Sequence, residues 1–312
     1  MKHLFIVNPV AGGTDRTDYV TEKAAEVLGG GNENWEIYVT KAPMDGCEKI
    51  RAEAAGGEAL RVYACGGDGT LNECVNGAAG LPNVAVTHFP CGTGNDSIRM
   101  FGEDKEHFFD LEQLVHGEVY PMDVIRCNER YSMNICSVGI DARIGCNVHK
   151  YSALPLIGGA AAYVVSTVVE LFRGVKRHMK ITMGDKVYDM PVTLACACNG
   201  QYYGGGFHPV PKARPDDGIL DFLVIKGVSR LTFIRLVGPY AQGKAENYPR
   251  YITHLRGTSM TIECEEELSV NVDGEELRAK KVHFEVVPGG VNFILPTKMI
   301  SFAPAREKIE VK

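Results

Sequence analysis

Three glycine-rich stretches follow apolar runs in the first third of the chain. They are NPVAGG (Asn8 to Gly13), GGDGTLNE (Gly66 to Glu73) and CGTGND (Cys91 to Asp96). Glycine lets a backbone approach a ligand closely and adopt positive φ. Peptide N–H groups in such turns, and the helix N-termini that follow them, attract phosphate. A single turn of this kind is often only a turn. Three of them, two carrying an aspartate, point to a phosphate site. No G-x-x-x-x-G-K-[ST] occurs, and G-x-G-x-x-G does not follow the first strand-like run, so neither the Walker A loop nor the dinucleotide fingerprint applies.

Two later stretches place carboxylates beside glycine. VDGEE (Val272 to Glu276) has the pattern of a hairpin turn, because Asp-Gly between strand-like runs suits φ > 0. RPDDGILD (Arg214 to Asp221) reads as a turn before the strand-like ILDFLVI. His208 and Tyr202-Tyr203 lie beside GGG and belong either to a pocket wall or to a surface loop. No G-x-S-x-G elbow or H-E-x-x-H suggests a hydrolase.

The elements that carry the three loops alternate. HLFIVN, WEIYVT, ALRVYAC and NVAVTHFP read as strands. TDRTDYVTEKAAEVLGGG, DGCEKIRAEAAGG and LNECVNGAAG read as helices; in the first, Val20, Ala24, Val27 and Leu28 recur at helical spacing. Such alternation implies βαβ units and a parallel sheet covered on both faces, with ligands at the carboxyl edge of the strands. From Tyr120 the pattern becomes antiparallel. YPMDVIRC and YSMNICSV flank NER as a hairpin, and RHMKITMGDKVYDMPVTLACACNG turns at Gly184-Asp185. Further short strands follow, interrupted by one helix, SRLTFIRLVGPYAQG. The expected fold is α/β plus all-β: an N-terminal parallel-sheet nucleotide-binding domain over 1–120, then an antiparallel β-sandwich domain over 121–300. The tail 301–312 is free to return to the first.

Composition narrows the function. The chain has 312 residues, 45% hydrophobic and 23% charged, with a formal net charge of -6. It has no long Lys/Arg run, so nucleic-acid binding is not expected. Adhesion to anionic lipid by charge alone is not expected either. The N-terminal apolar run is too short for a signal peptide, and the ten cysteines lie mostly in apolar runs without a C-x-x-C pair. Both features predict a cytoplasmic protein. ALPLIGGAAAYVVSTVVELF (Ala153 to Phe172) is interrupted by Pro155 and Gly158-Gly159, which leaves less than the ~20 residues of a membrane span. It reads as a core helix, with a helix lining an apolar ligand site as the alternative.

Together these motifs resemble the catalytic domain shared by diacylglycerol kinases, sphingosine kinases and bacterial lipid kinases. NAD kinases share the G-G-D-G-T core at greater distance. SVGIDARI (Ser137 to Ile144), NGQYYGGGFHPVPKARPDDGILDFLVI (Asn199 to Ile225) and VDGEE extend the likeness, in order, over nearly the whole chain. The nearest likeness is to soluble bacterial diacylglycerol and lipid kinases.

The resemblance implies roles residue by residue. Asn8, Pro9, Val10, Ala11, Gly12 and Thr40 would line a nucleotide site. Gly66, Gly67, Asp68, Gly69, Thr70, Leu71 and Asn72 would hold the phosphates, assisted by Thr93. Asp68 would serve a catalytic Mg2+, and Asp217, with backbone carbonyls of Arg214 and Ile219, would hold a second, structural Mg2+. The doubled aspartate leaves Asp216 as the alternative to Asp217. Asp273 and Glu275 would be a general base and its partner; a hairpin tip can project such a pair. The implied activity is ATP- and Mg2+-dependent phosphorylation of a lipid hydroxyl, with diacylglycerol first and transient membrane contact during turnover. An NAD kinase-like soluble-acceptor kinase and a non-catalytic nucleotide- or lipid-binding regulator are the rivals. Oligomeric state is left open, a homodimer included.

Overall fold

A computed structural model describes residues 1–92, 94–152 and 159–311. The chain forms two compact units. Unit 1 is Met1–Val124, Pro215–Gly218 and Val287–Lys312; unit 2 is Ile125–Arg214 and Ile219–Val286. Where the sequence suggested one linear cut near 120, the chain returns to unit 1 through 215–218 and again from 287 onward.

Unit 1 begins with β1 (Lys2–Val7), α1 (Thr17–Leu28), β2 (Asn34–Val39), α2 (Asp45–Ala54), β3 (Leu60–Gly66), α3 (Asp68–Ala78) and β4 (Val84–Pro90). Two short helices follow, α4 (Asp96–Arg99) and α5 (Leu111–Val115). β1 lies between β2 and β3, and β3 pairs with β4; every pairing is parallel. Asn292 and Phe293 add to β4, also in parallel. Leu4, Phe5, Ile6 and Val7 are all fully buried, so successive residues of β1 meet cover on opposite faces. The buried stripe of α1 is Val20, Ala24 and Leu28, the i, i+4, i+8 spacing of one helix face. α3 starts at Asp68, three residues before the expected LNECVNGAAG.

Carboxylates tie the late segments of unit 1 together. Asp104 accepts the N–H groups of Ile300, Ser301 and Phe302 at 2.6–3.0 Å. Asp216 accepts Ala305 N at 2.6 Å. Asp123 is fully buried. It accepts Gly218 N at 2.7 Å, Gly289 N at 2.8 Å and Arg306 Nη1 at 2.5 Å.

Unit 2 takes up the end of β5 (Glu118–Cys127), then β6 (Arg130–Ser132), β7 (Ile135–Gly139), α6 (Ile140–Ser152), α7 (Gly159–Arg173), β8 (Arg177–Met183) and β9 (Lys186–Cys198). β10 (Leu220–Lys226), α8 (Arg230–Ala241), β11 (Ile252–Gly257), β12 (Ser259–Val272) and β13 (Glu275–Leu295) complete it, with β13 running on into unit 1. The antiparallel order is β11-β10-β9-β7-β12-β13, and β8 pairs with both β9 and β12. Side-chain parity separates two cores. Leu220, Phe222 and Val224 of β10 enter one cluster, while Leu223 and Ile225 enter the other. The second cluster is closed by α8 through Phe233, Leu236 and Tyr240.

The β8–β9 hairpin turns at Gly184-Asp185, as its sequence suggests. Three features depart from the sequence reading. SMTIECEE and ELSVNV form one strand, β12, whose register shifts between Glu263 and Leu268. β11 was not anticipated. YSMNICSV divides into β6 and β7 at Met133-Asn134. Of the apolar stretch from Ala153, residues 153–158 lie outside the described residues. No helix among the described residues is long and apolar enough to cross a membrane.

Removing Asp123 leaves a guanidinium and two N–H groups without their acceptor. Asp123→Ala should cost about 3 kcal/mol, the low end for a broken buried pair because Arg306 is partly exposed. It should also open the chain after Ser301 to trypsin. Urea unfolding and limited proteolysis test this; a loss below about 1 kcal/mol with an intact tail would remove Asp123 as the organiser.

Candidate active site

The three glycine-rich loops meet through their backbones at one edge of the unit 1 sheet. A Cβ on Gly12, whose φ is 67°, would lie 3.1 Å from Cys91 O, and one on Gly92 would lie 2.7 Å from Gly67 N. Side chains would therefore part the loops. Gly66 O accepts the N–H groups of Cys91 and Gly92 at 2.9 and 3.0 Å, and Asp68 N donates to Gly94 O at 3.0 Å. The Asn8 side chain closes its own turn by accepting Val10 N at 3.1 Å. Thr40 gives its N–H and its hydroxyl to Val7 O, at 2.9 and 3.3 Å. Thr40 thereby sits beside the first loop. Pro9 and Ala11 are half-buried and Val10 is exposed. Thr93 lies outside the described residues.

The N-cap of α3 is Gly67, so this helix has no side-chain cap. The first-turn N–H groups of a helix have no intrahelical acceptor, so this end favours an anion. Thr70, Leu71 and Asn72 turn their side chains inward and are buried. Thr70 Oγ1 is buried without a hydrogen-bond partner among the described residues.

Asp68 links the second and third loops. Its Oδ2 accepts Asp96 N at 2.8 Å and its Oδ1 accepts Ser97 N at 3.0 Å. Each carboxylate oxygen keeps a second lone pair, so a cation remains within its chemistry. His88 braces the same junction, with Nε2 3.1 Å from Gly66 O and Nδ1 3.1 Å from Ser97 Oγ. Burial pushes the His88 pKa below 6.5. A carbonyl can only accept, so the neutral ring carries its proton on Nε2 and takes the Ser97 hydroxyl proton at Nδ1. Among the described residues there is no group of three or more His, Cys, Asp or Glu that could hold a metal. Mg2+ needs fewer: it keeps several waters and takes one or two carboxylates plus substrate phosphates. The loop N–H groups and Asp68 fit that pattern.

In unit 2, Asp273 and Gly274 form the two-residue turn between β12 and β13, with φ 49° and 101°. Val272 pairs with Glu275, so the hairpin reading holds, with Asp273 in the turn and Glu275 directly after it. The Asp273 carboxylate reaches back to the β6–β7 break. It accepts Ser132 Oγ at 2.7 Å and the N–H groups of Met133, Asn134 and Ile135 at 2.9, 3.3 and 2.9 Å. The N–H groups that the break in YSMNICSV leaves without a ladder partner thus find their acceptor in this carboxylate. Glu275 is exposed.

Arg214, Asp217 and Ile219 are half-buried residues of one short stretch, whereas Asp216 is buried. Gly218, between Asp217 and Ile219, has φ 75° and is held by Asp123.

Unit 2 holds a cavity, and through Thr167 the Ala153–Phe172 stretch lines it, the alternative that its sequence left open. The cavity holds about 50 Å3 and is walled by Leu194, Ile225, Phe233, Leu236 and Val237, with Thr167 of α7 at one side. Its charged residue is Asp141 of SVGIDARI, beside the hydroxyls of Tyr203 and Tyr240. Asp141 is half-buried; Tyr203 Oη donates to its Oδ2 at 3.2 Å, while its Oδ1 is buried without a partner among the described residues. Tyr203 Oη also meets Tyr240 Oη at 3.1 Å. Tyr203 is thus a pocket wall, and Tyr202 stacks on His208 at 3.9 Å between ring centroids. Burial pushes the Asp141 carboxyl up to about 6. The G-x-D-A pattern was the available signal for this residue.

Two family models match the chain. The diacylglycerol kinase catalytic domain matches residues 2–127, and the YegS C-terminal NAD kinase beta sandwich-like domain matches residues 134–295. The chain is similar to "Probable lipid kinase YegS-like" of Shewanella frigidimarina, with 30% identity over 249 residues, 78% of this chain and 79% of that protein. A crystal structure of a diacylglycerol kinase from Bacillus anthracis str. Sterne is similar over 96% of this chain and 98% of its own, with a TM-score of 0.69 and 26% identity.

The raised Asp141 pKa has a sign that can be tested. An unfolded aspartate titrates near 3.9, so between there and about 6 the native state holds the extra proton. Stability then falls as pH rises through that window. Above it the full cost stands, on the order of 2–3 kcal/mol for a shift from 3.9 to about 6. Asp141→Asn should therefore raise the melting temperature at pH near 7 and much less near 4. A gain that is the same at both ends contradicts the assignment.

Proposed function

We propose, because the chain belongs to the diacylglycerol kinase catalytic-domain family, that it is an ATP- and Mg2+-dependent lipid kinase that converts diacylglycerol to phosphatidic acid. The γ-phosphoryl group would pass to the free hydroxyl, whose proton leaves to a protein base. The observation that carries the lipid half is the cavity: apolar walls with one carboxyl, Asp141, suit an acyl lipid that presents a hydroxyl. Its volume of about 50 Å3 is that of one or two waters. A lipid chain therefore has to spread the α7 and α8 walls as it enters.

The chain's own residues divide the work. N–H groups of the Asn8–Gly12 turn, the Gly66–Thr70 segment and the third loop cradle the phosphates, with Thr40 beside them. Asp68 would hold the catalytic Mg2+ directly or through water, and the ion would supply charge neutralisation to the transferring group. Asp273 is the positioning member of its pair, since its acceptor sites serve the 132–135 segment. Glu275, exposed one residue beyond the turn, takes the acceptor proton. Asp217 is the better candidate than Asp216 for a second, structural Mg2+ with carbonyls of Arg214 and Ile219. Asp216 is buried and spends its Oδ2 on Ala305 N.

Two measurements bear on this reading. ATP bearing γ-phosphate label, supplied with Mg2+ and a panel of diacylglycerol, monoacylglycerol, ceramide, sphingosine, phosphatidylglycerol and NAD, should send label into organic solvent, most with diacylglycerol. Label confined to water with NAD would transfer the chain to soluble acceptors. ATP binding without transfer to any acceptor would make it a regulator.

The carboxylate pair separates by comparing stability with turnover. Glu275→Gln should lower kcat by about 100-fold or more, within the range for a general base, with melting temperature and ATP affinity unchanged. Asp273→Asn should lower both melting temperature and kcat. If Glu275→Gln keeps turnover within a few-fold, the base lies elsewhere.

A further inference from the structure

The outward side of the cavity walls is itself apolar. On α7, Val168 and Phe172 are 46% and 79% exposed, and on α8, Leu231 and Ile234 are 60% and 56% exposed. Each pair is spaced to share one helix face, i to i+4 and i to i+3. The two faces adjoin, because Arg230 at the start of α8 donates to Leu171 O at 2.6 Å and Phe172 O at 3.1 Å at the end of α7. Four large apolar side chains in one place call for a partner.

Charge says which partner. Lys176, Lys226, Arg230 and Arg235 are exposed on or beside these helices. Residues 171–184 and 222–245 contain no aspartate or glutamate, in a chain whose net charge is -6. The nearest acid on α7, Glu170, is buried and paired with Arg143 and Arg173. Arg173 and Arg177 are paired with Glu170 and Glu266 and are not counted.

We propose that this face, Val168 and Phe172 of α7 with Leu231 and Ile234 of α8 inside a rim of arginine and lysine, docks on an anionic lipid bilayer. The apolar side chains enter the acyl boundary and the basic rim meets lipid phosphates, the arrangement of interfacial helices. Neither component suffices: the chain is acidic as a whole, and the apolar group is small. The proposal rests on the lipid-kinase reading in one respect. The other sides of these helices wall the Asp141 cavity through Thr167, Phe233 and Leu236, so docking sets the substrate's own phase against the cavity wall.

Binding can be read without ATP, which keeps this test apart from the kinase reading. The full chain is floated with vesicles of phosphatidylcholine alone and with about a third phosphatidylglycerol, enough to give an anionic surface. Wild type should bind the anionic vesicles and not the neutral ones, and should be released by high salt. Phe172→Glu with Ile234→Glu should weaken binding at least about tenfold, and Arg235→Glu less. Melting temperature and turnover of a water-soluble short-chain diacylglycerol should not change in these variants. Vesicle binding that survives the double substitution, or no binding by wild type, overturns the proposal. So does a dimer in light scattering that the double substitution dissociates while vesicles are ignored, which would assign the face to a second copy of the chain.

Discussion

A backbone N–H that leaves a strand or opens a helix must find an acceptor, and in this protein aspartate supplies it at each critical break. Asp68 serves the start of α4, Asp104 the tail after Ile300, Asp123 the segments at 218 and 289, and Asp273 the gap between β6 and β7. Charge-assisted bonds of this kind are stronger than neutral ones. They also reach far along the chain: Asp273 bonds to residues 138–141 positions away, and Asp123 to one 166 away. Loops near the candidate site are therefore held by carboxylates, in place of the regular ladders that end there.

This arrangement changes what a carboxylate motif means. Asp68 and Asp273 sit in the two most chemistry-like motifs, yet each is already bonded as a structural acceptor. Substituting either one disturbs a loop before it disturbs any chemistry, so lost activity alone does not identify a metal ligand or a base. Glu275 is different: it is exposed, beyond the turn, and its side chain accepts no backbone N–H among the described residues. The distinction rests on burial and donor count, and a motif reports neither.

Much of the site was legible for a physical reason. Glycine at 12, 66, 67 and 92 marks places where loops meet backbone to backbone, and backbone approach leaves a signature in residue type. Asp-Gly at 273–274 likewise encodes its turn. Helices with a stripe such as Val20, Ala24 and Leu28 declare themselves by period. What stayed hidden depends on long-range pairing. Asp123 lies in YPMDVIRC like any strand residue, and its partners are up to 183 positions away, at Arg306. β11, ITHLRG, alternates weakly, with one buried residue in six, and becomes a strand only because β10 offers an edge. Asp141 was quoted within a motif without a role, since nothing local tells that the neighbours of a carboxyl will be Phe233 and Leu236.

α8 shows how far one element can be pushed by two demands. Its buried residues are Phe233, Leu236 and Tyr240, one stripe suited to the second core of unit 2. An ordinary surface helix would be polar opposite that stripe. Here Leu231 and Ile234 occupy the opposite side with Arg230 and Arg235 flanking them. A helix apolar all round belongs in a core or a membrane, but α8 is neither buried nor long enough to span. Arginines flanking an apolar pair on the outer side suit the proposed boundary between water and hydrocarbon, where the stems of arginine lie along apolar surface and the guanidinium stays hydrated. The inner stripe answers to the fold, and the outer one to what the fold must approach.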